Sequence, residues 1–95
     1  MKQIILDGRR MTNEKSTLRH IASQMAFPPS CGKTLEELED MLMSIEQPME
    51  VIFLRQKEML ESLEDFGDEI LETFMNCTQE NDHLDLYIAE PVFED

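Results

Sequence analysis

Three short apolar segments with the character of β-strands are spaced along the chain. They cover residues 2–6, 49–54 and 84–88. The first is followed by Asp7-Gly8, a dipeptide typical of turns. The second reads Met-Glu-Val-Ile-Phe-Leu and is almost continuously apolar, as buried strands of parallel sheets are. The pattern therefore predicts three strands separated by long connections.

The connections carry apolar residues at the spacing of amphipathic helices. A first helix is predicted over residues 15–25, with Asn13 or Ser16 as its N-cap. Two more are predicted over residues 56–63 and 68–80. The residues expected to face inward are Leu18, Ile21, Ala22 and Met25 in the first of these helices, and Ile70, Leu71, Phe74 and Cys77 in the last.

Strands that alternate with helical crossovers pair in parallel, and right-handed crossovers place the helices on the sheet. Gly67 is predicted to interrupt the chain between the last two helices. The expected fold class is α/β, a small three-stranded parallel sheet packed with about four helices. Because no internal repeat or linker is visible, residues 1–88 are predicted to form a single domain and residues 89–95 an acidic C-terminal tail.

Residues 27–43, Phe-Pro-Pro-Ser-Cys-Gly-Lys-Thr-Leu-Glu-Glu-Leu-Glu-Asp-Met-Leu-Met, form the most distinctive segment. Its two prolines cannot continue the preceding helix, and Gly32 allows a backbone conformation that other residues resist. Thr34 and Glu37 are predicted to form a capping box, in which each side chain bonds a backbone N–H at a helix start. A short acidic helix is expected to follow and to stop before Pro48.

This acidic helix is predicted to have two different faces. The apolar face consists of Leu35, Leu38, Leu42 and Ile45. Glu36 and Asp40 lie four residues apart on the opposite face, where like charges destabilise a helix by about 0.2–0.5 kcal/mol. Such an arrangement suggests a surface that receives a cationic partner, and the alternative interpretation is a solvated acidic face.

Charge and composition limit the possible classes of function. The chain has 95 residues, 41% of them hydrophobic, and a formal net charge of −13. Phosphates would be repelled, which argues against nucleic acid and anionic membranes and favours a basic protein partner or simple solubility. No segment approaches the roughly 20 apolar residues of a membrane span, and the N-terminus does not read as a signal peptide. Cys31 and Cys77 are expected to be reduced thiols in a cytoplasmic protein.

The order of the elements and several short segments carry a resemblance to a known family. The segments that carry it are Ile4-Ile5-Leu6-Asp7-Gly8, Phe27-Pro28, residues 32–40, Pro48, Arg55-Gln56, Ile70-Leu71, Phe74 and Leu84-Asp85-Leu86-Tyr87-Ile88. Over about residues 2–88 the chain resembles the barstar family, intracellular inhibitors of the secreted ribonuclease barnase. The resemblance implies a barstar-like fold and a protein that acts by binding another protein, without a cofactor or a metal.

The resemblance also implies a binding surface. In that family the loop and the second helix form the inhibitory surface, and a helix aspartate takes the place of a substrate phosphate in the ribonuclease active site. By position Asp40 corresponds to that aspartate, and Glu36 to a second acidic residue on the same face. The predicted partner-binding set is Asp40, Glu36, Gly32, Leu35, Thr34, Ser30, Glu39, Met43 and Asn76.

Several positions depart from the family pattern. Ser30 and Cys31 stand where the family has two loop tyrosines, and Glu39 stands in place of a tryptophan. Asn76 occupies the position of an acidic residue on the fourth helix. Because aromatic anchors often dominate interface energy, the departures point to a basic ribonuclease or nuclease-type toxin other than barnase, whose rim has a different shape. Met43 could supply adaptable apolar contact in their place.

Two other classes of function match parts of the sequence. An enzyme could use Glu36 and Asp40 as a general acid–base pair or as Mg²⁺ ligands. A convex helix face offers no dry cleft to separate their pKa values, and His20 and His83 lack metal-ligand spacing, so an enzyme is not predicted. A regulatory interaction module with a non-nuclease partner remains the alternative. Cys77 is expected in the core.

Overall fold

The computed structural model describes residues 2–28 and 32–89, which form three strands and four α-helices. The strands are β1 (Lys2–Asp7), β2 (Met49–Leu54) and β3 (Leu84–Ala89). The helices are α1 (Glu14–Gln24), α2 (Leu35–Met43), α3 (Gln56–Leu63) and α4 (Asp65–Glu80). A single 3₁₀ turn, Gly8–Arg10, follows β1 where the Asp7-Gly8 turn was predicted. Strand β3 extends one residue beyond its predicted end and includes Ala89, the first residue of the predicted tail. Residues 90–95 of that tail lie outside the described residues.

The three strands form one parallel sheet in the order β1-β2-β3, which confirms the predicted α/β class. Ile4, Val51 and Leu86 lie side by side in the register, and Leu6, Phe53 and Ile88 form the next row on the same face. Consecutive residues of a strand point to opposite faces, so these two rows define one side of the sheet. This side carries the hydrophobic core.

The helices cover only this one face of the sheet. Ile5 and Tyr87 belong to the row on the opposite face, and they are 50% and 60% exposed. Both crossovers run in the same direction along the sheet, and right-handed connections of that kind reach the same side. Strand β2 consequently alternates buried and half-buried residues instead of being buried on both faces.

The predicted inward faces of α1 and α4 are confirmed. Leu18, Ile21, Met25, Ile70, Phe74 and Cys77 are buried, and Leu71 is half-buried against them. Ala22 is half-buried as well. Phe74 meets Phe53 of β2 edge to face, with ring centroids 6.4 Å apart and an interplanar angle of 83°. Such a pair contributes about 0.5–1.5 kcal/mol beyond the area it buries. Asn13 is the N-cap of α1, and its side chain accepts from the Ser16 N–H at 2.8 Å.

The predicted break at Gly67 is wrong. Helix α4 begins at Asp65, and the chain turns instead at Glu64, whose φ and ψ are 53° and −120°. Gly67 lies inside the first turns of α4, where a Cβ would come within 3.0 Å of Leu60 Cδ2 and 3.3 Å of Leu60 Cα. This glycine therefore permits the close approach of α3 and α4, and it does not end a helix.

Candidate protein-binding surface

The loop before α2 is fixed by Gly32. This residue is buried and has a φ of 73°, a left-handed conformation that favours glycine. A Cβ added here would lie 3.4 Å from the Phe27 ring and 3.6 Å from Ala22 Cβ on α1. Gly32 therefore shapes the start of the helix from a buried position. Ser30 and Cys31, the other loop residues named by the sequence, lie outside the described residues.

Helix α2 begins with the predicted cap in modified form. The Thr34 hydroxyl accepts the Glu37 N–H at 3.1 Å, as a capping box requires. The Glu37 carboxylate accepts the Lys33 N–H at 3.1 Å, one residue before the amide that the motif predicts. Both bonds join the loop to the first helical turn. They set the direction in which the helix leaves the loop.

The two predicted faces of α2 are confirmed. Leu38 and Leu42 are buried in the core, while Leu35 and Ile45 are half-buried against it. Glu36, Glu39 and Asp40 are exposed, and we refer to these three residues as the acidic surface. Because the apolar side is held in the core, the backbone that carries these carboxylates has little freedom to rotate.

The acidic surface is not neutralised within the part of the chain that is described. The ion pairs found there both involve Asp7, which lies 3.1 Å from Arg9 and 3.6 Å from Arg55. Helix α2 has no basic residue in its last turn. Among the described residues, no ion pair therefore offsets the repulsion between Glu36 and Asp40, and a basic partner would relieve it.

Two of the predicted contact residues lie at the end of α2 and on α4. Met43, at the end of α2, is 37% exposed. Asn76 is exposed on α4, the helix against which α2 packs. Burial raises the pKa of the Cys77 thiol to about 11, and the charges of the Glu39 and Glu80 carboxylates add to this effect. Cys77 itself is a core residue, as predicted.

The sequence pattern does not indicate a role for Asn81, which lies just after α4. Its side-chain Nδ2 donates to the carbonyls of Leu42 and Ile45, both at 3.0 Å, and lies 3.5 Å from the Met43 carbonyl. These acceptors end α2 and precede Asn81 by 36–39 residues. An asparagine after a helix is common, and nothing in the sequence connects it to a helix so far upstream.

A groove of about 790 Å³ runs along α1 beside Gly32 and Lys33. Leu18 and Phe27 are among the described residues that line it. Glu14 is the one carboxylate residue among those described, so Glu36 and Asp40 do not line the groove. An acid–base pair needs a cleft to separate two pKa values, and this concave site does not contain the pair.

In residues 2–28 and 32–89, no cluster of three or more His, Cys, Asp or Glu residues is arranged to hold a metal ion. No described helix is long and apolar enough to span a bilayer.

The fold and this surface define a small α/β protein with an acidic helix available to a protein partner. Residues 1–89 match the family model described as Barstar (barnase inhibitor), and the chain belongs to this family. Comparison with curated proteins gives no match. Members of the family bind ribonucleases as inhibitors, which supports a protein partner in general and an inhibitory, non-enzymatic activity at the level of the family.

Proposed function

We propose that this protein inhibits a basic ribonuclease or nuclease-type toxin by covering its active site with α2. Asp40 would occupy the position of a substrate phosphate, with Glu36 supporting it. The observation that supports this role is the placement of both carboxylates on the exposed side of a helix whose other side is buried in the core. We propose that inhibition takes place in the cytoplasm.

The physical basis is electrostatic complementarity. A ribonuclease active site concentrates Lys, Arg and His side chains to hold phosphate, and a fixed carboxylate can accept charge-assisted hydrogen bonds from the same donors. A net charge of −13 would also draw a cationic nuclease toward the inhibitor. Steering of this kind accelerates association by about 10- to 1,000-fold at low salt.

The proposed contact surface extends beyond the two carboxylates. Leu35 and Gly32 would shape its centre, the first as a half-buried side chain and the second through the buried turn. The variable rim would consist of Ser30, Thr34, Glu39, Met43 and Asn76. In place of aromatic anchors this rim offers one more carboxylate and the flexible Met43 side chain, so it would suit a partner with additional basic groups.

The test is an inhibition assay with barnase and a panel of other basic ribonucleases. Asp40→Ala should weaken inhibition by about 30-fold or more, because basic groups of the enzyme would be left buried without a partner. Glu61→Ala is the matched control, since Glu61 is an exposed helical carboxylate on α3. Its removal should change inhibition by less than about threefold through long-range charge alone.

Two results would contradict the proposal. Equal inhibition by wild type and Asp40→Ala would remove the phosphate-mimic role. The second result is that the wild type inhibits neither the ribonucleases of the panel nor any nuclease captured from the native host's lysate. That result would favour the interaction module with a non-nuclease partner.

A further inference from the structure

The end of α2 depends on a residue that belongs to another part of the chain. The last carbonyls of a helix lack intrahelical partners and need donors from elsewhere. Ser44 closes the helix with backbone bonds to Asp40 and Met41, at 3.1 and 3.2 Å. The Leu42 carbonyl accepts the Ile45 N–H at 3.4 Å and the side-chain amide of Asn81 at 3.0 Å. The Ile45 carbonyl, just beyond the helix, accepts the same side-chain amide at 3.0 Å.

Asn81 is well suited to this role. It is 7% exposed, and its Oδ1 accepts the His83 N–H at 3.0 Å, which fixes the amide plane while Nδ2 points at α2. Its own N–H bonds the Cys77 carbonyl at 2.8 Å, and its carbonyl accepts the Leu84 N–H at 3.1 Å. The side chain is thus held between α4, β3 and the end of α2. A buried amide with this many partners is costly to replace.

We infer that Asn81 is a positioning residue for the acidic surface: its amide fixes the C-terminal end of α2 against α4, and so the direction of the Glu36 and Asp40 carboxylates. The consequence for nuclease binding rests on the proposed function. The consequence for α2 itself does not, and it can be measured on the free protein.

The first experiment compares amide hydrogen exchange of the wild type with Asn81→Ala, Asn81→Asp and the control Gln79→Ala, which alters an exposed α4 residue. In Asn81→Ala, protection of the Leu42 and Ser44 amides should fall at least 10-fold more than protection of Val51 in β2. The Ser44 amide is informative because it bonds the Asp40 carbonyl. Equal or larger loss at Val51 would mean that Asn81 serves general stability, and would overturn the inference.

Asn81→Asp separates hydrogen-bond donation from shape. Aspartate has the same size and can still accept the His83 N–H, but it directs a carboxylate at carbonyl oxygens. Protection at Leu42 and Ser44 should therefore fall at least as far as in Asn81→Ala. Wild-type protection in Asn81→Asp would overturn the inference, since a space-filling role would be sufficient.

The second experiment uses the ribonuclease of the panel described above that the wild type inhibits, under conditions where circular dichroism shows each variant to be folded. Asn81→Ala should inhibit at least 10-fold more weakly than wild type, and Gln79→Ala should match wild type. Normal inhibition by Asn81→Ala would overturn the link to the acidic surface. If the wild type inhibits no ribonuclease of the panel, the proposed function fails, and the exchange experiment decides separately whether Asn81 fixes α2.

Discussion

Replacing Asp40 by lysine tests whether the acidic surface reduces the stability of the fold. Asp40 is exposed in the last turn of α2 and forms no ion pair within the described residues. A lysine there would remove the repulsion with Glu36 and create an attractive pair in the favourable order, with glutamate four residues before lysine. It would also place a positive charge near the negative end of the helix dipole.

The expected gain follows from these contributions. Loss of the repulsion and formation of the attractive pair contribute about 0.2–0.5 kcal/mol each, and the dipole about 0.3–1 kcal/mol. Solvent screening at this exposed position reduces the sum. We expect Asp40→Lys to raise the free energy of unfolding by about 1 kcal/mol at low salt, and to abolish inhibition of any nuclease that the wild type inhibits.

Urea unfolding at pH 7 provides the measurement, and Glu36→Lys is the control. It removes the same repulsion, but its lysine lies in the first turn of α2, where the dipole disfavours a cation. Glu36→Lys should therefore leave stability nearly unchanged, and the difference between the variants should shrink in about 1 M salt. A loss of stability confined to Asp40→Lys would show that the Asp40 carboxylate makes a stabilising contact, which would refute our description of α2.

Two further predictions concern α1 and the loop before α2. His20 Nε2 accepts the Asp7 backbone N–H at 3.0 Å, and burial, reinforced by the nearby Arg10, lowers the pKa of this imidazole although the Asp7 charge opposes the shift. The free energy of unfolding should therefore decrease as the pH falls below the ordinary histidine pKa of about 6.5, because the unfolded chain takes up the proton first. In urea unfolding between about pH 6.5 and 5, His20→Gln should lose less of this free energy than the wild type. Parallel plots of unfolding free energy against pH for the two proteins would contradict this role. Gly32→Ala should lower the free energy of unfolding by about 1–2 kcal/mol, because alanine would have to adopt the left-handed φ of residue 32. Ser23→Ala, on the exposed side of α1, should leave this free energy unchanged. Equal stability of the two variants would contradict a strained turn at residue 32.

Much of the fold could be predicted from short-range patterns. The apolar runs at residues 49–54 and 84–88 predicted strands, because the burial of a strand determines which of its consecutive residues are apolar. The faces of α2 were predictable for the same reason, since Leu38 and Leu42 repeat at helical spacing and Glu36 and Asp40 fall opposite them. The parallel arrangement followed from helical connections between strands. The role of the acidic surface in binding remains a prediction.

Other features depended on residues that meet only after folding. Glycine disfavours helices, so the sequence predicts a break at Gly67. The close approach of Leu60 instead makes the absence of a side chain at this position a packing requirement within α4. The open face of the sheet resulted from both crossovers reaching one side, which no single strand reveals.

The sequence by itself determined that α2 would be a helix with an apolar and an acidic face, because propensity and periodicity act over a few neighbouring residues. Only the tertiary structure decided how that helix is held. Asn81 reaches the Leu42 and Ile45 carbonyls across more than 35 residues of chain. Such a bond depends on the packing of α2 against α4, since a hydrogen bond requires its two groups to be close in space. A single long-range bond produces no repeating pattern of residues, so it cannot be predicted from the spacing of residues along the chain.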